Sequence, residues 1–118
     1  MKILFVDDNE LNRVVLNDMI EMLFEDVSIE TYESANDILE LDISSYDLIL
    51  SDIDMPEING CELHDILREK HNFTKPIIAI TALAISGDKE KMLMHGFDDY
   101  ISKPIDMNEL ERTLQKYI

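Results

Sequence analysis

Five polar residues carry the chemistry this sequence could do: Asp7, Asp8, Asp52, Thr81 and Lys103. Three carboxylates brought together repel one another by several kcal/mol, even at an effective dielectric of ~20. Proton uptake, the Lys103 ammonium or a hard divalent cation could relieve them. An all-oxygen donor set suits Mg²⁺, which takes one or two carboxylates and completes its shell with water and a phosphate oxygen. Such a cation also neutralises a phosphoryl group in transit. Asp52 would then act as a carboxylate nucleophile and form an acyl phosphate. Lys103 would pair with the phosphoryl oxygens, and the Thr81 hydroxyl would donate a hydrogen bond to one of them. Taken singly, each residue has a simpler reading. Asp7-Asp8-Asn9 could cap a helix, Asp52 could be a loop carboxylate, Thr81 a turn residue and Lys103 a solvated cation. Placement decides between the two.

Short apolar, β-branched runs over residues 2–6, 27–32, 47–51, 76–80 and 99–102 predict strands, and stretches with helical spacing separate them. Leu11, Val14, Val15, Met19, Ile20 and Leu23 recur at three and four residues. Ser34 and Asp37 open a second helix carrying Ile38, Leu39 and Leu41. Residues 60–71 carry Leu63, Ile66 and Leu67. Residues 87–95 carry Met92 and Met94, with Gly96 as the terminating glycine. Asp106 and Glu109 read as a capping box before Leu110, Leu114 and Tyr117. Strand and helix alternating five times imply a parallel sheet covered on both faces. The unbroken apolar runs Leu48-Ile49-Leu50 and Ile77-Ile78-Ala79-Ile80 are those of strands buried on both sides. In such a sheet the carboxyl ends share one edge, where ligands bind at the switch in strand order. Asp7 and Asp8, Asp52, Thr81 and Lys103 all fall at strand ends, and four coincidences of this kind are hard to explain by chance.

The 118 residues fit one domain. With 26 acids against 10 Lys and Arg, the formal charge of −16 repels phosphate backbones and anionic membranes. No nucleic-acid or membrane partner is expected, and basic or neutral protein surfaces are. The single Cys61 has no disulfide partner or zinc-site neighbours and reads as a packing residue; a reducing, cytoplasmic setting follows. The only histidines, His64, His71 and His95, read as ordinary residues on or near helix ends. With no glycine-rich nucleotide loop, the chain is expected to receive a phosphoryl group and not to generate one.

Val6-Asp7-Asp8-Asn9, Asp52-Ile53-Asp54-Met55-Pro56 with Gly60 following, Thr81-Ala82 and Asp99-Tyr100-Ile101-Ser102-Lys103-Pro104 occur in order. In these motifs, and over essentially its whole length, the chain resembles the receiver domains of two-component response regulators, in its details those of hybrid sensor kinases. The resemblance implies an α/β, doubly wound, flavodoxin-like (βα)5 domain over residues 1–118, with a five-stranded parallel sheet in the order 2-1-3-4-5. It implies that Asp52 is the phosphorylated residue and that Mg²⁺ is the cofactor. Asp8 and Asp52 would be its ligands, with Asp7 acting mainly through water and the Asp54 backbone carbonyl as a third protein ligand. Thr81 and Lys103 would sense the phosphoryl group, Tyr100 would be the switch aromatic, and the Lys103–Pro104 bond is often cis in the family. The donor would be a phosphohistidine on a histidine kinase or histidine phosphotransfer protein. The output would be a changed surface on the fourth helix, fifth strand and fifth helix, with Ala84, Ile85, Lys91, Met94 and Tyr100 as contacts. Such a domain is not a metabolic enzyme; it catalyses its own phosphoryl transfer and dephosphorylation. Leu83 offers no polar group to orient an attacking water and is expected to slow hydrolysis, while Asp54 adds charge near the site. Both a stand-alone regulator and a receiver excised from a hybrid kinase fit. Two rivals remain: a haloacid-dehalogenase-like phosphatase, whose Asp-x-Asp motif Asp52-Ile53-Asp54 resembles, and a pseudo-receiver that keeps the fold without the chemistry.

Overall fold

The structure is a computed structural model that describes residues 1–82 and 88–118. Its strands are β1 (Lys2–Val6), β2 (Ser28–Tyr32), β3 (Leu48–Asp52), β4 (Ile77–Thr81) and β5 (Asp99–Ser102). Its helices are α1 (Glu10–Leu23), α2 (Ala35–Leu39), α3 (Gly60–Glu69), α4 (Asp88–His95) and α5 (Met107–Gln115). The strands form one parallel sheet in the order β2-β1-β3-β4-β5, the order that the resemblance implies.

Alternation along each strand sorts the core into two layers. Ile3, Phe5, Leu48, Leu50, Ile78, Ile80 and Ile101 face Leu16 and Ile20 of α1 and Leu110 and Leu114 of α5. Leu4, Val6, Ile49, Ile77 and Ala79 face Ile38 of α2 and Leu63 and Leu67 of α3, with Met92 of α4 packed against this layer. Every residue of β3 and β4 is buried, which explains their unbroken apolar runs.

Register brings the carboxyl ends level. Val6 pairs with Ser51, Asp52 with Ile80, and Thr81 with Ser102. Asp7, Asp52, Thr81 and Lys103 therefore fall on successive strands along one edge. The chain leaves β1 toward β2 on one side and returns as β3 on the other, so the crevice opens between β1 and β3, flanked by Asp7 and Asp52.

Several local expectations shift. Asp52 and Thr81 are the last residues of their strands and not the first residues beyond them. Helix α2 is one short turn capped by Ser34. Leu41 lies beyond it, followed by a 3-10 turn over Ile43–Ser45 that Asp42 caps and that carried no clear periodic signal. Helix α3 stops at Glu69, and Asn72 takes a positive φ of 54°. Asp106 caps α5 through the Glu109 N–H, but the Glu109 carboxylate does not complete a capping box there. It accepts from the Ser102 N–H and hydroxyl, fixing the chain just before Lys103. The reciprocal capping box instead opens α3, between Asn59 and Glu62. His71 lies just past α3 and His95 ends α4, but His64 is buried in the middle of α3, which corrects its placement near a helix end. No helix among the described residues is long and apolar enough to cross a membrane. Leu83, Ala84 and Ile85 lie outside the described residues.

Candidate functional site

At the end of β1 the chain turns directly into α1, and Asn9 is the N-cap, its side chain accepting from the Asn12 N–H at 3.0 Å. Capping therefore does not consume the two acids. Asp7 is fully buried. Its Oδ1 accepts from the Asn9 N–H at 2.9 Å and its Oδ2 from the Asn12 Nδ2 at 3.2 Å, while the Arg13 guanidinium donates to its carbonyl at 2.7 Å. The first two bonds hold the Asp7 carboxylate in one orientation, and the third anchors its backbone. Asp8, the next residue along the rim, is exposed.

Asp52 ends β3 with its side chain only 2% exposed. Carboxylate oxygens of Asp7, Asp8 and Asp52 lie within 4.8 Å of one another. Lys103 directly follows β5, ahead of a cis Lys103–Pro104 bond, and places Nζ 2.8 Å from Asp52 Oδ1 and 3.2 Å from Asp7 Oδ2. The Lys103 N–H also donates to the Thr81 carbonyl at 2.9 Å, tying the ends of β4 and β5 together.

The electrostatics follow from this crowding. Burial pushes the Asp52 carboxyl up to about 6; the Lys103 hydrogen bond opposes the shift, and the charges of Asp7 and Asp8 add to it. Burial by itself would pull Lys103 down, but the hydrogen bond and charge of Asp52, and then Asp7, hold it above its ordinary value. Among the described residues one ammonium thus faces three carboxylates, and the site carries excess negative charge that a hard cation or a proton can neutralise. The all-oxygen donor set fits a cation such as Mg²⁺.

Directly after Asp52 the chain doubles back. The Ile53 N–H donates to the Ile80 carbonyl, and the Gly60 N–H donates to the Ile53 carbonyl at 3.0 Å. A Cβ on Gly60 would lie 2.5 Å from the Asp52 carbonyl oxygen and 2.8 Å from the Ile53 Cα. Only glycine lets α3 start this close to β3, a physical reason for the spacing between Asp52 and Gly60. Beside Asp8 an open groove of about 500 Å³ is lined by Glu33, Ser34, Asn36, Pro56 and Glu57.

The structure thus gathers Asp7, Asp8, Asp52 and Lys103, and sets Thr81, buried, one strand away. The Asp54 side chain is exposed and stands outside the acid cluster. Tyr100 is half-buried in β5, its backbone paired with Ala79. Sequence reasoning met Asn9 only as part of a capping stretch and missed the other residues that hold the site: Asn12 and Arg13 on Asp7, and Glu109 on Ser102. The Asn9–Asn12 spacing is a readable N-cap signal. Nothing in the sequence marks Arg13 or redirects Glu109.

The sequence profile of the response regulator receiver domain matches residues 3–115. The polar-differentiation response regulator DivK of Brucella anthropi is 36% identical over 120 residues, covering 98% of this chain and 94% of that protein. Among solved structures, the receiver domain of the sensor histidine kinase PA1611 of Pseudomonas aeruginosa, with a magnesium ion in its active-site cleft, is similar at a TM-score of 0.82. It is 33% identical and covers 98% of this chain and 95% of that one. The receiver domain of the response regulator Ssk1 of Saccharomyces cerevisiae, in complex with the histidine phosphotransfer protein Ypd1, is similar at a TM-score of 0.85. It is 25% identical, with coverage of 99% and 88%. A strand order of β2-β1-β3-β4-β5, a profile spanning nearly every residue and a full-length regulator as relative agree: the chain belongs to the response regulator receiver domain family of two-component signalling.

Proposed function

We propose that this receiver takes a phosphoryl group from a phosphohistidine onto Asp52 and passes the change to the α4-β5-α5 face. The observation that carries the reading is the packing of Asp52 against Lys103, with Asp7 and Asp8 alongside, at the carboxyl edge of the sheet. At neutral pH Asp52 is ionised, being above its pKa of about 6, and one of its oxygens attacks phosphorus. The P–N bond of the donor breaks, and its electron pair leaves on the imidazole nitrogen. Lys103, already 2.8 Å from Asp52, stays to pair with the phosphoryl oxygens. The carboxylates of Asp8 and Asp52 and the carbonyl of Asp54 would hold Mg²⁺, with Asp7 behind them, held by Asn9, Asn12 and Lys103. When bound, that ion supplies charge neutralisation for the transferring group. The magnesium in the PA1611 receiver cleft supports this assignment.

The donor is a histidine kinase or a histidine phosphotransfer protein, as the Ypd1 complex with a receiver suggests. Leu11 and Val14 on the first turns of α1 are exposed apolar residues on the side where such a protein would approach. The added charge of about −1.5 to −2 draws Thr81 toward the phosphoryl group and lets Tyr100 turn inward. Lys91, exposed, and Met94, 87% exposed, on α4 then meet the downstream protein. The domain works in the cytoplasm and catalyses only its own phosphorylation and hydrolysis. The haloacid-dehalogenase reading has no support: Asp52 ends the third, central strand, and the Asp54 side chain is outside the cluster. The intact acid–lysine cluster favours an active receiver over a pseudo-receiver.

A beryllofluoride titration with Mg²⁺, followed by NMR, tests the proposal. Expected are shifts around Asp52, Thr81 and Tyr100 that extend to α4 and α5 and vanish in Asp52→Asn. A spectrum that does not change with Mg²⁺ and beryllofluoride present would sink it.

A further inference from the structure

Outside the acid cluster, the described residues hold one other convergence of metal-binding side chains. His64 and Asp65 on α3 and His95 at the end of α4 bring two ring nitrogens and a carboxylate oxygen within 4.8 Å of one another. Asp65 Oδ1 lies 3.0 Å from His64 Nδ1 and 3.0 Å from His95 Nε2. Packing fixes the arrangement. The His64 ring is buried, with its centroid 4.7 Å from that of Phe97 and 5.2 Å from that of His95. Gly96 closes α4 with a φ of +125° and lays its backbone on the same ring; a Cβ there would sit 2.8 Å from His64 Cε1. His64 Nε2 is buried without a hydrogen-bond partner among the described residues. The polar outlet of this ring is therefore Nδ1, which opens into the cluster.

We infer that His64 Nδ1, Asp65 Oδ1 and His95 Nε2 form a site for a borderline divalent transition-metal ion, Zn²⁺ being the natural probe, that bridges α3 and α4. Two imidazoles and a carboxylate are a zinc-type donor set and a poor one for Mg²⁺, so the site differs in kind from the acid cluster. The two 3.0 Å separations are close to the edge of about 3.3 Å expected for a tetrahedron with bonds of about 2.0–2.1 Å. Asp65 and His95 side chains are 49% and 31% exposed, which leaves the outer face of the site open to water as a further ligand. Without metal, His64 Nδ1–H donates to Asp65, and His95 Nε2–H is shared between Asp65 Oδ1 and the Cys61 carbonyl at 3.2 Å; the ion takes the place of those protons. The His64 proton moves to its Nε2, which has no partner among the described residues, and the His95 proton moves to its Nδ1. Occupancy ties the last turn of α4 to α3.

The test titrates Zn²⁺ into the full chain with excess Mg²⁺ present to fill the acid cluster. Calorimetry gives the affinity and NMR follows the imidazole rings. The His64 and His95 signals should shift together. Asp65→Asn and His95→Gln, both at part-exposed positions, should each weaken binding at least about tenfold, the scale of lesions even one layer out from a metal. Their response to beryllofluoride should persist. The inference is overturned if Zn²⁺ moves only resonances around Asp7, Asp8 and Asp52, or binds both variants as tightly as the parent. Should a variant fail to fold, the ring shifts of the unsubstituted chain decide alone.

Discussion

Replacing Asp52 by Asn should stabilise this domain at neutral pH while abolishing its proposed chemistry. The carboxyl sits 2% exposed beside Asp7 and Asp8, with its pKa raised from 3.8 to about 6. At about 1.36 kcal/mol per pH unit, that gap corresponds to roughly 3 kcal/mol. The sign follows from proton counting. Between pH 3.8 and about 6 the folded chain binds more protons at Asp52 than the unfolded chain does, so stability falls as pH rises through that window and stays lower above it. The substituted amide carries no charge and escapes this loss, although Lys103 is then left with Asp7 as its near carboxylate. The expected gain at pH ~7.5 is about 1–3 kcal/mol, worth roughly 4 °C in Tm per kcal/mol for a chain of this size. The gain should fade toward pH ~4, where the parent has taken up its proton. Mg²⁺ should also narrow it, because a cation relieves the parent and has less to hold in the variant. Urea unfolding of both chains at several pH values, with and without Mg²⁺, measures all three. A variant no more stable than the parent at neutral pH, or a gain independent of pH, would mean that the buried Asp52 charge does not strain the fold.

Lys103→Met removes the ammonium that competes with a cation for Asp52 and Asp7; Mg²⁺ affinity should rise about tenfold or more by calorimetry, while stability without metal falls by about 3–5 kcal/mol. Gly60→Ala drives a Cβ into the Asp52 carbonyl at 2.5 Å; thermal melts should show a loss of about 1–3 kcal/mol, with weakened Mg²⁺ binding because the backbone of Asp52 must move. Asn59→Ala breaks the capping box of α3 and should cost about 1 kcal/mol in urea unfolding, leaving Mg²⁺ affinity unchanged.

The fold was legible because its signals are local and redundant. Ile77-Ile78-Ala79-Ile80 has the length and composition of a strand buried on both faces, and the five alternations leave few topologies. The edge that collects Asp7, Asp52, Thr81 and Lys103 follows from parallel register alone, as the pairing of Val6 with Ser51 and Thr81 with Ser102 bears out. What escaped depends on direction and distance. Glu109 is at capping-box spacing from Asp106, yet its carboxylate turns to Ser102, a choice set by how close α5 lies to β5. Asp7 and Asp8 are identical in type and adjacent in sequence; one is fully buried and bonded by Asn9, Asn12 and Lys103, the other exposed. Their separation comes from the turn into α1. His64 gave no sequence sign of its burial, because the partners that enclose it, His95, Gly96 and Phe97, arrive from α4 and the turn after it.

Everything proposed for this site turns on Asp52 accepting the phosphoryl group. Incubating the chain with a small acyl phosphate and Mg²⁺, reducing the product with borohydride and mapping the modified peptide by mass spectrometry tests it most directly. Modification is expected at Asp52, and it should disappear in Asp52→Asn and when the metal is chelated. Modification at another residue, or uptake undiminished in Asp52→Asn, would contradict it.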